Sequence, residues 1–138
     1  MRIVVDTNTV VSGFLWPGPP RRIIDLIRAR THTLCVSTAL LAELAEVIGR
    51  AKFAQRLQLA GLSAAALVQD YARLAEIVEP APLSEPVSRD PDDDLVLATA
   101  LAAQALLIVS GDRDLLDLGT FRDIRILNAA GALRVLST

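Results

Sequence analysis

The chain has 138 residues, of which 52% are hydrophobic, and a formal net charge of −2. This length and composition suit one compact domain over residues 1–138, with enough apolar sequence to bury a core. Three Phe, one Tyr and one Trp are present, so the core is expected to be aliphatic. The slightly negative charge argues against a broad basic face that grips nucleic acid. Any contact with nucleic acid would therefore be local.

Targeting and membrane signals are weak in this sequence. The opening MRIVVDTNTV places Asp6 where a signal peptide needs unbroken apolar residues, and the single cysteine, Cys35, cannot form a disulfide within the chain. No stretch approaches the roughly 20 apolar residues that a membrane helix requires. We expect a cytoplasmic protein with no membrane segment, in which Cys35 is a small core residue.

Short β-rich runs alternate with helical patterns along the chain. In order, the first half predicts a strand at 2–5, a polar turn at 6–8, an irregular Gly- and Pro-rich loop at 13–20, a helix at 21–30, a strand at 33–36, a helix from 38 to about 50 that Ser37 or Thr38 caps, and a helical hairpin at 51–59 and 63–76. A brief strand at 77–78 follows the hairpin.

The second half begins with a proline-rich segment. Residues 80–91 contain four prolines and predict a stiff extended connection, since proline cannot occupy a helix interior or a central strand. In order, the remaining elements are a helix at about 92–103, a strand at 106–109, a turn at 110–112, a short helix near Leu115, a strand at 124–127 and a last helical turn or two at 129–133.

This alternation predicts right-handed βαβ crossovers. The fold class is therefore α/β: an α/β/α sandwich with a central parallel sheet of about four or five strands. Ligands in such sheets bind beyond the carboxyl ends of the strands. Asp6 and Asp112 follow two predicted strands, so both are expected at that edge.

Glu43 is the acid least easily explained by solvation. It shares a predicted helix face with Leu40, Leu44 and Val47, the spacing that marks a buried side. A carboxylate on such a face needs a partner or a metal ion. Asp6, in contrast, can also serve as a helix cap or close a turn.

The run DPDDD at residues 90–94 has two readings. Asp before Pro with further acids in the first turn is a well-formed helix start. Clustered carboxylates also repel one another, and a divalent cation relieves that repulsion. Asp93 or Asp94 can face such a cation, and Asp112 can either join it or cap the next helix. Convergence of these oxygen ligands with Asp6 and Glu43 favours Mg²⁺ or Mn²⁺.

Four segments resemble a known family: IVVDTNTVVSG, STALLAELAEV, DPDDDLVLATALAA and LLIVSGDRDLL. In this order and spacing the chain resembles the PIN domains, especially small prokaryotic toxin ribonucleases of the VapC type. The resemblance implies a metal-dependent endoribonuclease with an RNA substrate and a cognate antitoxin protein. It makes Asp6, Glu43 and Asp93 the core acids and Asp112 the fourth. It also assigns supporting or alternative places to five residues: Thr7, Asn8, Asp94, Ser110 and Asp114.

Basic residues near these segments are candidates for RNA phosphate contacts, although solvated helix faces look similar. They are Arg21, Arg22, Arg50 and Lys52, with Arg56 nearby. Trp16 is a candidate for base stacking or for anchoring its own loop. His32 is expected on the surface without a catalytic role. The apolar hairpin, together with the pairing common among PIN domains, predicts a homodimer.

Two other functions remain open from the sequence. A PIN-like fold that has lost catalysis could persist as a protein-binding module, although it would not need a carboxylate on an apolar helix face. A receiver or phosphatase-like phosphotransfer domain also places Asp after a first parallel strand. That class needs a supporting lysine, and the only lysine, Lys52, lies at a predicted helix start far from any predicted strand end.

Overall fold

A six-stranded sheet forms the middle of the molecule in the computed structural model, which describes residues 1–137. The strands are β1 (Arg2–Val5), β2 (Thr33–Val36), β3 (Ala75–Ile77), β4 (Leu107–Val109), β5 (Thr120–Phe121) and β6 (Ile124–Leu127). Their order is β3-β2-β1-β4-β6-β5. Every neighbouring pair is parallel except β5 and β6, which are antiparallel.

Helices connect the strands and flank the sheet. They are α1 (Thr7–Leu15), α2 (Pro19–Arg28), α3 (Thr38–Ile48), α4 (Ala54–Ala60), α5 (Ala64–Leu74), α6 (Pro91–Ala102), α7 (Arg113–Leu118) and α8 (Ala129–Leu136). A single 3₁₀ turn, Ala51–Phe53, precedes α4. Helix α1 packs against α2 and α3, and α6 packs against the three central strands β2, β1 and β4. The predicted α/β class with a mainly parallel central sheet is confirmed.

The two innermost strands, β1 and β4, end side by side at the carboxyl edge of the sheet. Val5 of β1 lies opposite Val109 of β4, so the residues that follow them, Asp6 and Ser110, are neighbours at the carboxyl edge. The backbone N–H of Asp6 extends the pairing by donating to the Val109 carbonyl at 3.0 Å. Because β1 and β4 run parallel, α1 and α7 both begin at this edge.

The core is aliphatic, as the composition predicts. Residues without exposed surface include Ile3 and Val4 of β1, Ile108 of β4 and Leu97 of α6. Cys35 is also fully buried as a free thiol. Among residues 1–137, no helix is long and apolar enough to span a membrane.

The main error in the predicted elements concerns residues 7–20. A polar turn and a Pro- and Gly-rich loop are predicted there, but residues 7–15 form α1 and the irregular part is limited to 16–18. Asp6 caps α1 by accepting from the Thr9 N–H. Gly13 lies within α1 where it passes close to α2, and there a Cβ would fall 2.7 Å from Ile24 Cγ1. Tertiary packing therefore overrides the weak helix propensity of β-branched residues.

Smaller differences occur at element ends. The brief strand predicted at 77–78 is β3 at Ala75–Ile77, and α5 ends at Leu74 rather than at residue 76. Strand β5 has two residues and pairs antiparallel at the sheet edge, and it lacks the apolar run by which the five other strands are recognised. Helix α2 begins two residues earlier than predicted, because Pro19 and Pro20 occupy its first turn, where proline is favoured.

Candidate metal centre

Asp6 is held in place by the two elements that meet at the sheet edge. Its Oδ1 accepts from the Thr9 N–H at 2.9 Å, and its Oδ2 accepts from the Ser110 hydroxyl. The side chain is only 8% exposed. Asp6 is thus both the cap of α1 and a fixed carboxylate at the carboxyl edge of the sheet. Its role as a helix cap is compatible with a role as a metal ligand.

Glu43 reaches the same place from α3. Ser37 caps this helix through its hydroxyl, which accepts from the Leu40 N–H. Glu43 is half-buried, and the Thr7 hydroxyl donates to its Oε1. Burial raises the pKa of Glu43, and the negative charges of Asp92, Asp6 and Asp90 add to this effect, while the Thr7 hydrogen bond opposes it. Thr7 therefore orients the Glu43 carboxylate, while burial and the nearby acids disfavour its negative charge.

Asp93 is the most perturbed of the four acids. It occupies the third position of α6, after the cap Asp90 and Pro91, and is 6% exposed. The Ser88 hydroxyl donates to its Oδ2 at 2.9 Å. Burial first, and then the nearby Asp112 carboxyl, raises the pKa of Asp93 to about 6, against the lowering effect of Ser88. Such a group gains most from a neighbouring cation.

Asp94 lies on a different face of α6. Its carboxylate accepts from the backbone N–H groups of Val87 and Ser88. This contact fixes the segment before α6, including the serine that donates to Asp93. The structure therefore places Asp93, and not Asp94, among the other acids.

Asp112 caps α7, because its side chain accepts from the Leu115 N–H at 3.2 Å. Its own N–H donates to the Ser110 hydroxyl at 3.0 Å, so Ser110 links it to Asp6. One oxygen each from Asp93, Asp112 and Asp114 lies within 4.8 Å of the others. Asp114 is also paired with Arg89 at 2.9 Å, which makes it the less available ligand.

A cavity of about 210 Å³ joins these side chains. The predicted site residues that line it are Asp6, Thr7, Asn8, Glu43, Asp93 and Asp112. Three further acids on its wall were not predicted as site residues: Glu46, Asp90 and Asp92. Glu46 lies one helical turn after Glu43, and Asp90 and Asp92 belong to the acidic run at 90–94. Those patterns were visible in the sequence, but they also suit a solvated helix and a helix start.

One of the four predicted RNA contacts, Arg50, lies beside the acids, and the other three lie outside the lining of this cavity. Arg50 lines the cavity, where it is paired with Glu46 at 2.8 Å. Arg21 instead donates to the carbonyls of Gly13 and Phe14, a contact that holds α1 against α2.

Arg22 is exposed on α2, and Lys52 lies over the Phe53 ring. Trp16 contacts Phe53 edge-on and has Arg56 over its ring, and it remains 38% exposed. His32 forms a hydrogen bond with the Leu136 carbonyl at 2.9 Å and is outside the lining of the acidic cavity.

The donor set fits a hard divalent cation. Carboxylate and hydroxyl oxygens predominate, and several carboxylates are held close together in a partly buried cavity. Burial first, and then the neighbouring acids, raises the pKa values of Glu43 and Asp93. Oxygen ligands of this kind suit Mg²⁺ and Mn²⁺. Oxygen atoms of Asp93 and Asp112 lie within 4.8 Å of each other, and Asp6 and Glu43 line the same cavity.

Comparison with known proteins agrees with this architecture. No curated protein matches the chain. The fold is similar to a chain in the crystal structure of VapBC2 from Rickettsia felis bound to a DNA fragment from their promoter. The TM-score is 0.61 at 16% identity, with 93% of this chain and 98% of that chain covered. At this identity the likeness shows the fold.

A family model described as PIN domain matches residues 2–114. The match runs from β1 to the start of α7 and includes all four predicted acids, so it spans most of the chain. The resemblance found in the sequence motifs is confirmed. The chain belongs to the PIN-domain family of nuclease-type hydrolases.

Proposed function

We propose that this protein is an Mg²⁺- or Mn²⁺-dependent endoribonuclease that hydrolyses RNA phosphodiester bonds. One observation supports this most strongly: Asp6, Glu43, Asp93 and Asp112 come from four separate elements and line one cavity at the carboxyl edge of the sheet. Four carboxylates that repel one another in a partly buried site are costly to the fold. A bound divalent cation offsets that cost.

Each acid has its own support in this arrangement. Asp93 and Asp112 lie close enough to share one cation. Asp6 is fixed by Thr9 and Ser110, and Glu43 is oriented by Thr7. When bound, a divalent cation activates and orients water for in-line attack on a phosphodiester and neutralises charge on the leaving oxygen. The proposal therefore needs no nucleophilic side chain and no histidine.

The proposed biological role is that of the toxin in a toxin–antitoxin pair, acting in the cytoplasm with a cognate antitoxin protein as partner. Support comes from the fold's likeness to a chain in the VapBC2 complex. The phosphotransfer alternative has less support, since Lys52 is outside the cavity lining and its Nζ lies 5.1 Å from the Phe53 ring centroid. The binding-module alternative leaves the buried carboxylates of the cavity without a purpose.

Cleavage of a fluorescent single-stranded RNA tests the activity. With Mn²⁺ or Mg²⁺ we expect endonucleolytic products, and EDTA should abolish them until excess metal is added back. Asp6→Asn and Glu43→Gln should each nearly abolish cleavage, while Asp112→Asn should be milder, since water can partly replace one ligand on these ions. Wild-type protein that is folded but inactive with every metal and RNA tried would contradict the proposal.

Growth measurements test the toxin role separately. Induced expression of wild-type protein should arrest bacterial growth, and Asp6→Asn should not. Co-expression of a small protein encoded beside the gene should restore growth and copurify with the wild-type chain. An active ribonuclease whose expression leaves growth unchanged would contradict the toxin assignment and leave the chemistry intact.

A further inference from the structure

A second cavity, of about 420 Å³, lies on the other side of the acids. It shares Asp6, Asn8 and Asp112 with the first cavity. Its remaining wall includes Ser12 of α1 and Arg113 of α7. The two cavities therefore meet at two of the proposed metal ligands, so a strand whose phosphate sits at those ligands has room on both sides.

The two cavities differ in charge. Seven acidic side chains line the first, and its one arginine, Arg50, is already paired with Glu46. Of the described residues that line the second cavity, Asp6 and Asp112 are the only acids, and Arg113 is exposed there. Among residues 1–137, the Arg113 side chain makes no ion pair or hydrogen bond. An anionic RNA strand would therefore find the unpaired guanidinium of Arg113 in the second cavity and not in the first.

The acids beside Arg113 in sequence are engaged elsewhere. Asp112 accepts from the Leu115 N–H, and Asp114 is paired with Arg89. Neither neighbour neutralises the guanidinium, which is free to contact a phosphate with its planar set of donors. Asn8 is exposed and Ser12 half-buried on the same wall, and both offer hydrogen bonds suited to a sugar or a base edge.

We propose that the second cavity binds the RNA nucleotide next to the scissile phosphate, with Arg113 contacting the backbone phosphate of that nucleotide. Asn8 and Ser12 contact its sugar or base. This inference rests on the proposed ribonuclease function and assigns a substrate-binding role to residues outside the acid set. The cavity volume lies within the range that accommodates ligands of about nucleotide size.

Two variants test the second cavity by different routes. Arg113→Gln removes the charge at similar length, and Ser12→Leu adds apolar bulk to the cavity from a helix position that accepts leucine. We expect each to raise the KM for single-stranded RNA about tenfold with a smaller change in kcat, as expected for lost substrate binding. Arg113→Lys should recover part of the loss, and Arg134→Gln, exposed in the last turn of α8 and outside both cavities, is the matched control.

Two further measurements separate substrate binding from damage to the neighbouring Asp112. Mn²⁺ affinity, followed by the thermal shift of each variant, should stay at the wild-type value. The dependence of log KM on log salt concentration should fall by about one unit in Arg113→Gln, as expected when one phosphate contact is lost. Weaker Mn²⁺ binding together with a kcat loss would overturn the inference in favour of a structural role for Arg113.

The outcome for wild-type protein distinguishes the two proposals. If wild type cleaves RNA and both variants keep its KM, the second cavity does not bind substrate and the ribonuclease proposal stands. If wild type shows no metal-dependent cleavage, the ribonuclease proposal itself fails, and the inference fails with it.

Discussion

Asp93 combines burial with crowding by other acids. It is 6% exposed, and its pKa is raised to about 6, above the value of about 3.9 for an unfolded aspartate. The folded state therefore binds this proton more tightly than the unfolded state. In the absence of metal, the stabilising contribution of the protonated form is fully present below about pH 3.9 and is lost as the pH rises through about 6.

Asp93→Asn should consequently stabilise the metal-free protein in a pH-dependent way. In EDTA at pH 7.5 we expect the variant to exceed wild type by on the order of 1–2 kcal/mol in free energy of unfolding, since two pKa units set an upper bound of about 3 kcal/mol. At pH 4.5 the difference should shrink to a fraction of that. Urea denaturation at both pH values measures it, and an equal difference at both would show that Asp93 is not perturbed as described.

At the scale of elements, the sequence is informative wherever local pattern and tertiary structure agree. The apolar runs of β1 and β4 are visible in the sequence and place Asp6 at the carboxyl edge of the sheet. The start of α3 is also visible, with Ser37 or Thr38 as its cap, and the structure selects Ser37. The resemblance to the PIN domains selects Asp93 rather than Asp94 as the site residue. The structure shows why Asp94 is separate from the other acids, because its carboxylate accepts from backbone N–H groups of the loop before α6.

Helix α1 could not be predicted in the same way. Its residues TNTVVSGFL favour strands or turns by propensity, and what stabilises the helix is the Asp6 cap and close packing on α2. That packing depends on Gly13, where a Cβ would lie 2.7 Å from Ile24 Cγ1 and 2.8 Å from the Pro20 carbonyl oxygen. Such long-range contacts leave no periodic pattern in the sequence.

Gly13→Ala should therefore destabilise the protein although alanine is the better helix former. Overpacking of this kind costs on the order of 1–3 kcal/mol, and we expect a matching loss in free energy of unfolding. Gly111→Ala is the control, because a Cβ there meets no atom within 4 Å. Thermal melting of both variants decides the matter: equal or higher stability of Gly13→Ala would refute close packing of α1 on α2.

At the scale of the whole molecule, the predicted homodimer depends on the hairpin formed by α4 and α5. Leu57, Leu67 and Tyr71 of this hairpin are buried within the chain, whereas Leu59 is 70% exposed. Part of the apolar surface that the sequence predicts for this hairpin is thus covered by the rest of the chain. What remains exposed is smaller than the sequence suggests, so a dimer that uses this face should be sensitive to a single change there.

Light scattering of purified protein at micromolar concentration should give about twice the chain mass of 14.8 kDa. Leu59→Lys places a charge on the exposed position and should shift the population toward monomer, because a desolvated, unpaired lysine is unfavourable at an interface. A monomer mass for wild type at all concentrations would contradict the dimer. A Leu59→Lys dimer as tight as wild type would place the interface elsewhere.

The single-turnover rate of RNA cleavage in Mn²⁺ for two adjacent isosteric variants tests the proposed metal centre. Asp93→Asn removes a carboxylate from the cavity, and we expect a rate loss of about 100-fold or more, or roughly 2.7 kcal/mol in activation free energy. Asp94→Asn keeps an oxygen that can accept from Val87 and Ser88, and its rate should stay within about threefold of wild type. A severe loss in Asp94→Asn with near-normal cleavage by Asp93→Asn would contradict the metal centre described here.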